Sequence, residues 1–317
     1  MLGAGASRGV SYARPNSFPS PLDSDFFVLL PRLGPGKYSD AVSRVQGWRR
    51  ELPTDSRDSM ERAFYTLQSR AYFLEKLVPH EVPDPKDELV VSSFATCITA
   101  LLREAHGTNK CKYHEKLFRQ ISAGGTIISF NYDLVVERAL LSRGVGSNLF
   151  GPWLYGLEGA PAGFDLPTVL KLHGSQNWQI EDENIEVRTK EWAGLSSPGY
   201  RGDVGVGTVF PIFLPFWDKR IERDPWLKFW TLAFARLATA ESVVVWGYSL
   251  PTTDLKAQQL FKSALKDRPF NLCVVDPSPD TRERWRRLFP EALYWEYQAI
   301  GEFLDYPPAW WTAPVSP

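Results

Sequence analysis

Residues 125–133 read GTIISFNYD, and three further stretches follow the same grammar: PTVLKLHGS at 167–175, ESVVVWGYS at 241–249 and FNLCVVDPS at 270–278. In each, a short run of β-branched and apolar residues stops at small or polar ones, which is the pattern of a strand buried on both faces. The expected strand cores are Ile127 to Phe130, Val169 to Leu172, Val243 to Trp246 and Leu272 to Val275. They end in Asn131, in His173 with Gly174, in Gly247 and in Asp276. Ligands of an open parallel sheet sit beyond the carboxyl ends of its strands, so these four endings converge on one crevice.

Helical periodicity occupies the intervening chain. Apolar residues recur at helical spacing in 58–78, 87–106 and 113–122, which predicts a helical insertion over about 38–120. Residues 224–240 and 253–267 are amphipathic helices leading into and out of the third strand, as βαβ units require, and 281–290 supplies another after the fourth. The polar, glycine-rich stretch from Gln176 onward predicts a loop or hairpin insertion over about 176–215. The expectation is one α/β domain over 1–317: a Rossmann-like parallel sheet with helices on both faces.

Composition narrows the class. The 317 residues are 44% hydrophobic, with 12 Trp, 12 Tyr and 19 Phe, enough to fill one large core or two smaller ones. Lys and Arg number 36 against 37 acidic residues, so no global basic field argues for direct nucleic-acid binding. Cys97, Cys111 and Cys273 lack both disulfide-framework and zinc-ribbon spacing, which favours a reducing compartment and no metal. With no apolar run near membrane-spanning length, the reading is a cytosolic protein that does not engage a membrane.

The remaining motifs carry two readings each. GAGASRG at 3–9 places Arg8 where the dinucleotide fingerprint wants its third glycine, and a Pro- and Ser-rich stretch at 13–27 replaces the acidic strand end expected next. What survives is backbone approach to phosphate through Gly3, Ala4, Gly5 and Ala6, with Ser7 donating near a helix start; the alternative is a bare Ala/Gly turn. A strand leading into this loop needs about five residues, more than Met1 and Leu2 offer. The expectation is therefore a trimmed start, or a missing strand replaced in an assembly.

Asn131 and Asp133 suit a ligand site, or Asp133 caps the helix beginning LVVERALL. His173 is a site residue or a core histidine held by a carbonyl. Gly247 and Ser249 suit a sugar or phosphate and Asp276 a ribose or adenine edge; the alternative is turn chemistry, with Thr252, Thr253 or Asp254 capping the next helix. His80, His106 and His114 are expected at the surface, as are the four arginines of TRERWRRLF. The YPPAWW stretch at 306–311 is either a contact surface or a tail folded on its own core.

Taken in order, GAGAS, SFNYD, KLHGS, GYSLPTTD and VVDPSP resemble the sirtuin-like NAD-binding domain, and within it the prokaryotic branch of anti-phage defence. GTVFPIFLPFWDK at 207–219 resembles a Pro-rich run of that branch. The resemblance implies an NAD hydrolase releasing nicotinamide and ADP-ribose, a defence effector that depletes NAD when activated. It puts Asn131 on the nicotinamide ribose or an attacking water, Asp133 on the carboxamide or developing charge, and His173 on a ribose hydroxyl or water. Gly3, Ala4, Gly5, Ala6 and Ser7 would take the pyrophosphate; Gly247, Ser249 and Asp276 would take the adenosine half. The four-cysteine zinc module of deacylase sirtuins cannot be built here, and FPSPLDSDFF stands in place of their Gly-Ile-Pro-Asp-Phe-Arg segment. Partners implied by the branch are a homo-oligomer, an ATPase of the HerA type or an Argonaute. The competing readings are a regulatory subunit that binds NAD or ADP-ribose uncleaved, and an NAD-dependent deacylase.

Overall fold

The computed structural model describes residues 1–8, 19–67, 85–106, 111–122, 124–141, 151–159, 166–181, 184–187, 221, 224 and 226–312. His80, the run at 207–219 and the insertion beyond residue 187 lie outside the described residues. The chain divides into two compact units. One comprises Met1–Ser11, Lys110–Thr189 and Arg220–Pro317; the other comprises Tyr12–Asn109 and Lys190–Lys219.

The second unit is helical among the described residues. It holds α2 (Phe26–Leu29), α3 (Ser39–Arg49), α4 (residues 60–67) and α5 (Pro85–His106). Buried Ala41, Val45 and Trp48 form the inward stripe of α3. Phe94 of α5 is the hub: it stacks on Phe26 at 5.4 Å and meets Phe64 and Trp48 edge-on at 5.8 and 5.6 Å. His106, expected at the surface, is buried and bonded to Ser20 Oγ at 3.0 Å, because the last turn of α5 tucks beneath residue 20.

The first unit is mixed α/β. Its strands are β1 (Thr126–Ser129), β2 (Thr168–Lys171), β3 (Trp178–Glu181), β4 (Asn184–Val187), β5 (Ser242–Trp246), β6 (Asn271–Val275) and β7 (Leu293–Tyr297). Its helices are α1 (Ala4–Arg8), α6 (Lys112–Phe118), α7 (Val135–Leu141), α8 (Trp226–Thr239), α9 (Leu255–Leu265), α10 (Pro279–Leu288), α11 (Ile300–Asp305) and α12 (Ala309–Thr312). β3 and β4 form an antiparallel hairpin within the stretch read as loop or hairpin. All other pairings are parallel: β1 with β2, Ser129 opposite Lys171, and β5 with β6 and β6 with β7.

The two parallel groups are joined by the first residues of the chain. Leu2 N donates to Ile128 O at 2.9 Å and Leu2 O accepts from Phe130 N at 2.9 Å. On the other side Trp246 N donates to Met1 O at 2.8 Å and Gly3 N to Trp246 O at 3.1 Å. The order across the sheet is therefore β2-β1-Leu2-β5-β6-β7. The sequence reading did not foresee that residues as few as Met1–Gly3 would bridge β1 and β5. A slot with a strand on each side lets three residues make ladder bonds in both directions, where an edge position would allow one.

β7 is an element the sequence reading missed. The tail at 306–311 packs on its own unit: Trp310 meets Trp295 at 5.6 Å and Trp311 meets Phe303 at 5.2 Å. His114 is also buried, its ring 4.3 Å from that of Trp246, because α6 lies against the sheet. No described helix is long and apolar enough to cross a membrane.

Candidate active site

β1 stops at Ser129, and the polar residues behind it are gathered by the glycine loop. Asn131 Nδ2 donates to Gly3 O at 2.9 Å and to Ser7 Oγ at 3.1 Å. Ser7 Oγ in turn donates to Asp133 Oδ2 at 2.7 Å, and Asp133 Oδ1 accepts from Val135 N at 3.0 Å. Asp133 thus meets the first amide of α7 with one oxygen and Ser7 with the other. Gly3 O can only accept, which fixes which end of the Asn131 amide is nitrogen. With both N–H groups committed, Asn131 has only Oδ1, an acceptor, to offer a ligand.

The loop itself departs from the phosphate-cradle expectation. The amides of Gly3, Gly5 and Ala6 donate to Trp246 O, Gly247 O and Gly3 O, so these three N–H groups already have protein acceptors. Ser7, expected to donate to phosphate, is buried and holds Asp133 instead. The glycines have a packing reason of their own: a Cβ on Gly3 would lie 2.5 Å from Gly247 O, and one on Gly247 2.1 Å from Ala6 N. Gly247 also has φ +62, the left-handed region open to glycine. Ala4 is exposed and Gly5 partly so, and they form the solvent-facing part of the loop.

His173 lies just past β2, two residues beyond the paired Lys171, as Asn131 lies two beyond Ser129. Its ring meets Phe130 edge-on at 5.0 Å and lies 6.2 Å from Tyr132, the two neighbours of Asn131. His173 Nε2 is 2.9 Å from Asp254 Oδ2, with both side chains buried. Tyr248 OH donates to the same oxygen at 2.8 Å, and Asp254 Oδ1 accepts from Ala257 N to cap α9. Tyr248 stacks on Phe130 at 4.1 Å, closing the apolar side of the pair. Asp254 appeared in the sequence only as a capping candidate; nothing there signalled its contact with His173.

Beneath the site runs a buried polar network. Lys171, fully buried, donates to Asp133 O and lies 3.5 Å from Glu137 Oε1. Tyr155 OH donates to Glu137 Oε1 at 3.0 Å and accepts from Asn177 Nδ2 at 3.2 Å. Burial raises the Glu137 carboxyl above its ordinary range against the pull of Lys171, and burial followed by the Glu137 charge raises the Tyr155 phenol. The network holds the turn carrying Asp133 from below.

Of the adenosine-side candidates, Gly247 packs against the glycine loop, whereas among the described residues no hydrogen bond links Ser249 or Asp276 to the Asn131 cluster. Ser249 is exposed, its carbonyl held by Arg284 at 2.6 Å. Asp276 ends β6, accepts from Ser278 N at 2.9 Å, and its carboxyl is raised by burial. Arg282 donates to Asp276 O at 2.6 Å, so two of the four α10 arginines anchor strand-end carbonyls rather than merely facing water. The three cysteines are buried free thiols, Cys97 and Cys273 pushed up to about 12 by burial.

Fold and site together define a mixed α/β protein with parallel strands, whose strand ends carry a buried His–Asp pair beside a hydrogen-bonded Asn–Ser–Asp cluster. No family model matches the chain, and a search of curated proteins finds no match.

Proposed function

We propose that this chain is an NAD hydrolase on a sirtuin-like, Rossmann-like doubly wound scaffold. Counting Leu2 as a strand and setting the hairpin aside, the order β2-β1-Leu2-β5-β6-β7 corresponds to 3-2-1-4-5-6, whose topological switch point falls between Leu2 and β5. The observation that carries the reading is His173, held on Asp254 past β2 and flanked by the neighbours of Asn131.

Cleavage breaks the bond between nicotinamide and ribose C1′. The electron pair leaves with nicotinamide, which departs neutral and needs no general acid. The ribose then carries oxocarbenium-like charge until a water oxygen bonds to C1′. His173 accepts the proton this water releases, a task suited to an imidazole at cellular pH. Asn131 Oδ1 accepts from a ribose hydroxyl or that water, and Asp133 acts through its negative charge. The exposed face of the loop at Ala4 and Gly5 lies along the pyrophosphate, and Asp276 serves the adenosine half. A homo-oligomer, a HerA-type ATPase or an Argonaute is the proposed activating context, and depletion of NAD in defence the proposed outcome.

The test is incubation of purified protein with NAD, alone and with candidate partners, followed by chromatography for nicotinamide and ADP-ribose. His173→Ala and Asn131→Ala should each slow release by about 10²-fold or more with unchanged circular dichroism. Equal turnover by both variants and wild type overturns the assignment. NAD binding without release points to a regulatory subunit, and release only with an acyl-lysine peptide to a deacylase.

A further inference from the structure

We propose that Asp254 is a positioning residue that fixes the tautomer of His173, with the proton of the neutral ring on Nε2. The inference deepens the hydrolase reading and rests on it for the meaning of that proton, but its geometry stands independently. A carboxylate can only accept, so the 2.9 Å approach of His173 Nε2 to Asp254 Oδ2 requires hydrogen on Nε2. In a neutral imidazole Nδ1 is then the nitrogen without hydrogen. Tyr248 OH donates to the same oxygen at 2.8 Å, and the Ala257 amide donates to Oδ1. Three donors compensate the buried carboxylate for lost water, and its place at the start of α9 adds the favourable end of the helix dipole. The residue therefore does two jobs with two oxygens: Oδ1 caps the helix and Oδ2 orients the histidine.

That division makes Asp254→Asn a sharp probe. Capping requires an oxygen toward the Ala257 amide, so the asparagine keeps its oxygen there and turns its NH2 toward His173 and Tyr248. An NH2 group donates, so Nε2 must accept and the imidazole proton moves to Nδ1. Asparagine preserves the cap and the volume, and the fold should survive; an unchanged melting temperature checks this. The same exchange in a serine-protease triad leaves geometry intact yet costs about 10⁴-fold in kcat by imposing the wrong tautomer.

The experiment is two-bond ¹⁵N–¹H correlation spectroscopy of histidine-labelled protein, with the His173 signals assigned by their loss in His173→Ala. Wild type should show the Nε2–H pattern at neutral to mildly alkaline pH, and Asp254→Asn the Nδ1–H pattern. In parallel, nicotinamide release should fall by on the order of 10²-fold or more in kcat with KM within a few-fold. Nδ1–H in wild type, or one tautomer in both proteins, overturns the proposal. If wild type releases no nicotinamide while the tautomers switch, the hydrolase reading fails and the positioning role stands.

Discussion

Replacing Gly247 by alanine tests the packing on which the sheet centre depends. The new Cβ would sit 2.1 Å from Ala6 N and 2.4 Å from Gly5 C, and these backbone atoms cannot rotate away as a side chain could. The backbone at φ +62 adds a penalty of about 1–2 kcal/mol for a residue with a Cβ. Forcing the loop outward adds about 1–3 kcal/mol, as overpacking does elsewhere. A loss of about 2–5 kcal/mol corresponds to a fall of about 5–15 °C in melting temperature for a unit of this size. Displacing Ala6 and Ser7 also pulls Ser7 from Asp133, so the site should loosen with the sheet. Scanning calorimetry, which resolves the transitions of separate units, is the assay. Gly47→Ala is the control: its Cβ meets nothing nearer than Arg50 Nη2 at 3.9 Å within α3, so it should hold or raise stability by about 0.5–1 kcal/mol. A Gly247→Ala protein that melts with wild type would refute the claim that the glycine loop is seated on the end of β5.

Two further tests address the polar interior. Ser7→Ala removes a donor to Asp133 and an acceptor for Asn131; at about 0.5–1.5 kcal/mol per bond and somewhat more for the one to a carboxylate, it should cost about 2–3 kcal/mol. Urea unfolding reads this as a lower midpoint at unchanged slope, and a midpoint equal to wild type would mean those bonds are not formed. For Glu137 the raised carboxyl means the folded state binds more protons than the unfolded one from its ordinary value of 4.5 upward to the raised value. Its contribution to stability is present below that window and declines as pH rises through it. The stability advantage of wild type over Glu137→Gln should accordingly be largest at acid pH and shrink toward neutrality. An advantage that grows with pH would mean Lys171 outweighs burial.

The strands that were legible in the sequence are those buried on both faces. Val243 to Trp246 and Leu272 to Val275 form unbroken apolar runs because parallel neighbours and helices leave them no wet side. β7 was missed because it is only half buried, at an end of the strand order, and its LYWEY carries an acid and aromatic residues instead of a β-branched run. The bridge at Leu2 was missed because two or three residues have no period to detect; its bonds to Ile128 and Phe130 and its pairing with Trp246 reveal it. In the candidate site, Asn131, Asp133 and His173 stood out in the sequence as polar residues ending apolar runs. Asp254 was hidden behind its capping signal, which already accounted for an acidic residue before α9. The burial of Lys171 and Glu137 was masked by their charge, since a lysine ending a strand and a glutamate in a helix read as surface residues until their neighbours are known.

The position of Leu2 also governs the order in which this sheet is completed. Leu2 is made well before its partners at Ile128 and Trp246, which emerge from the ribosome much later. Until the second arrives, the start of the chain has one neighbour at most and an apolar side chain without a core, a long loop to close before any reward. Closure of the sheet at Leu2 should therefore come late in the folding of this unit, and a chaperone has that interval in which to act.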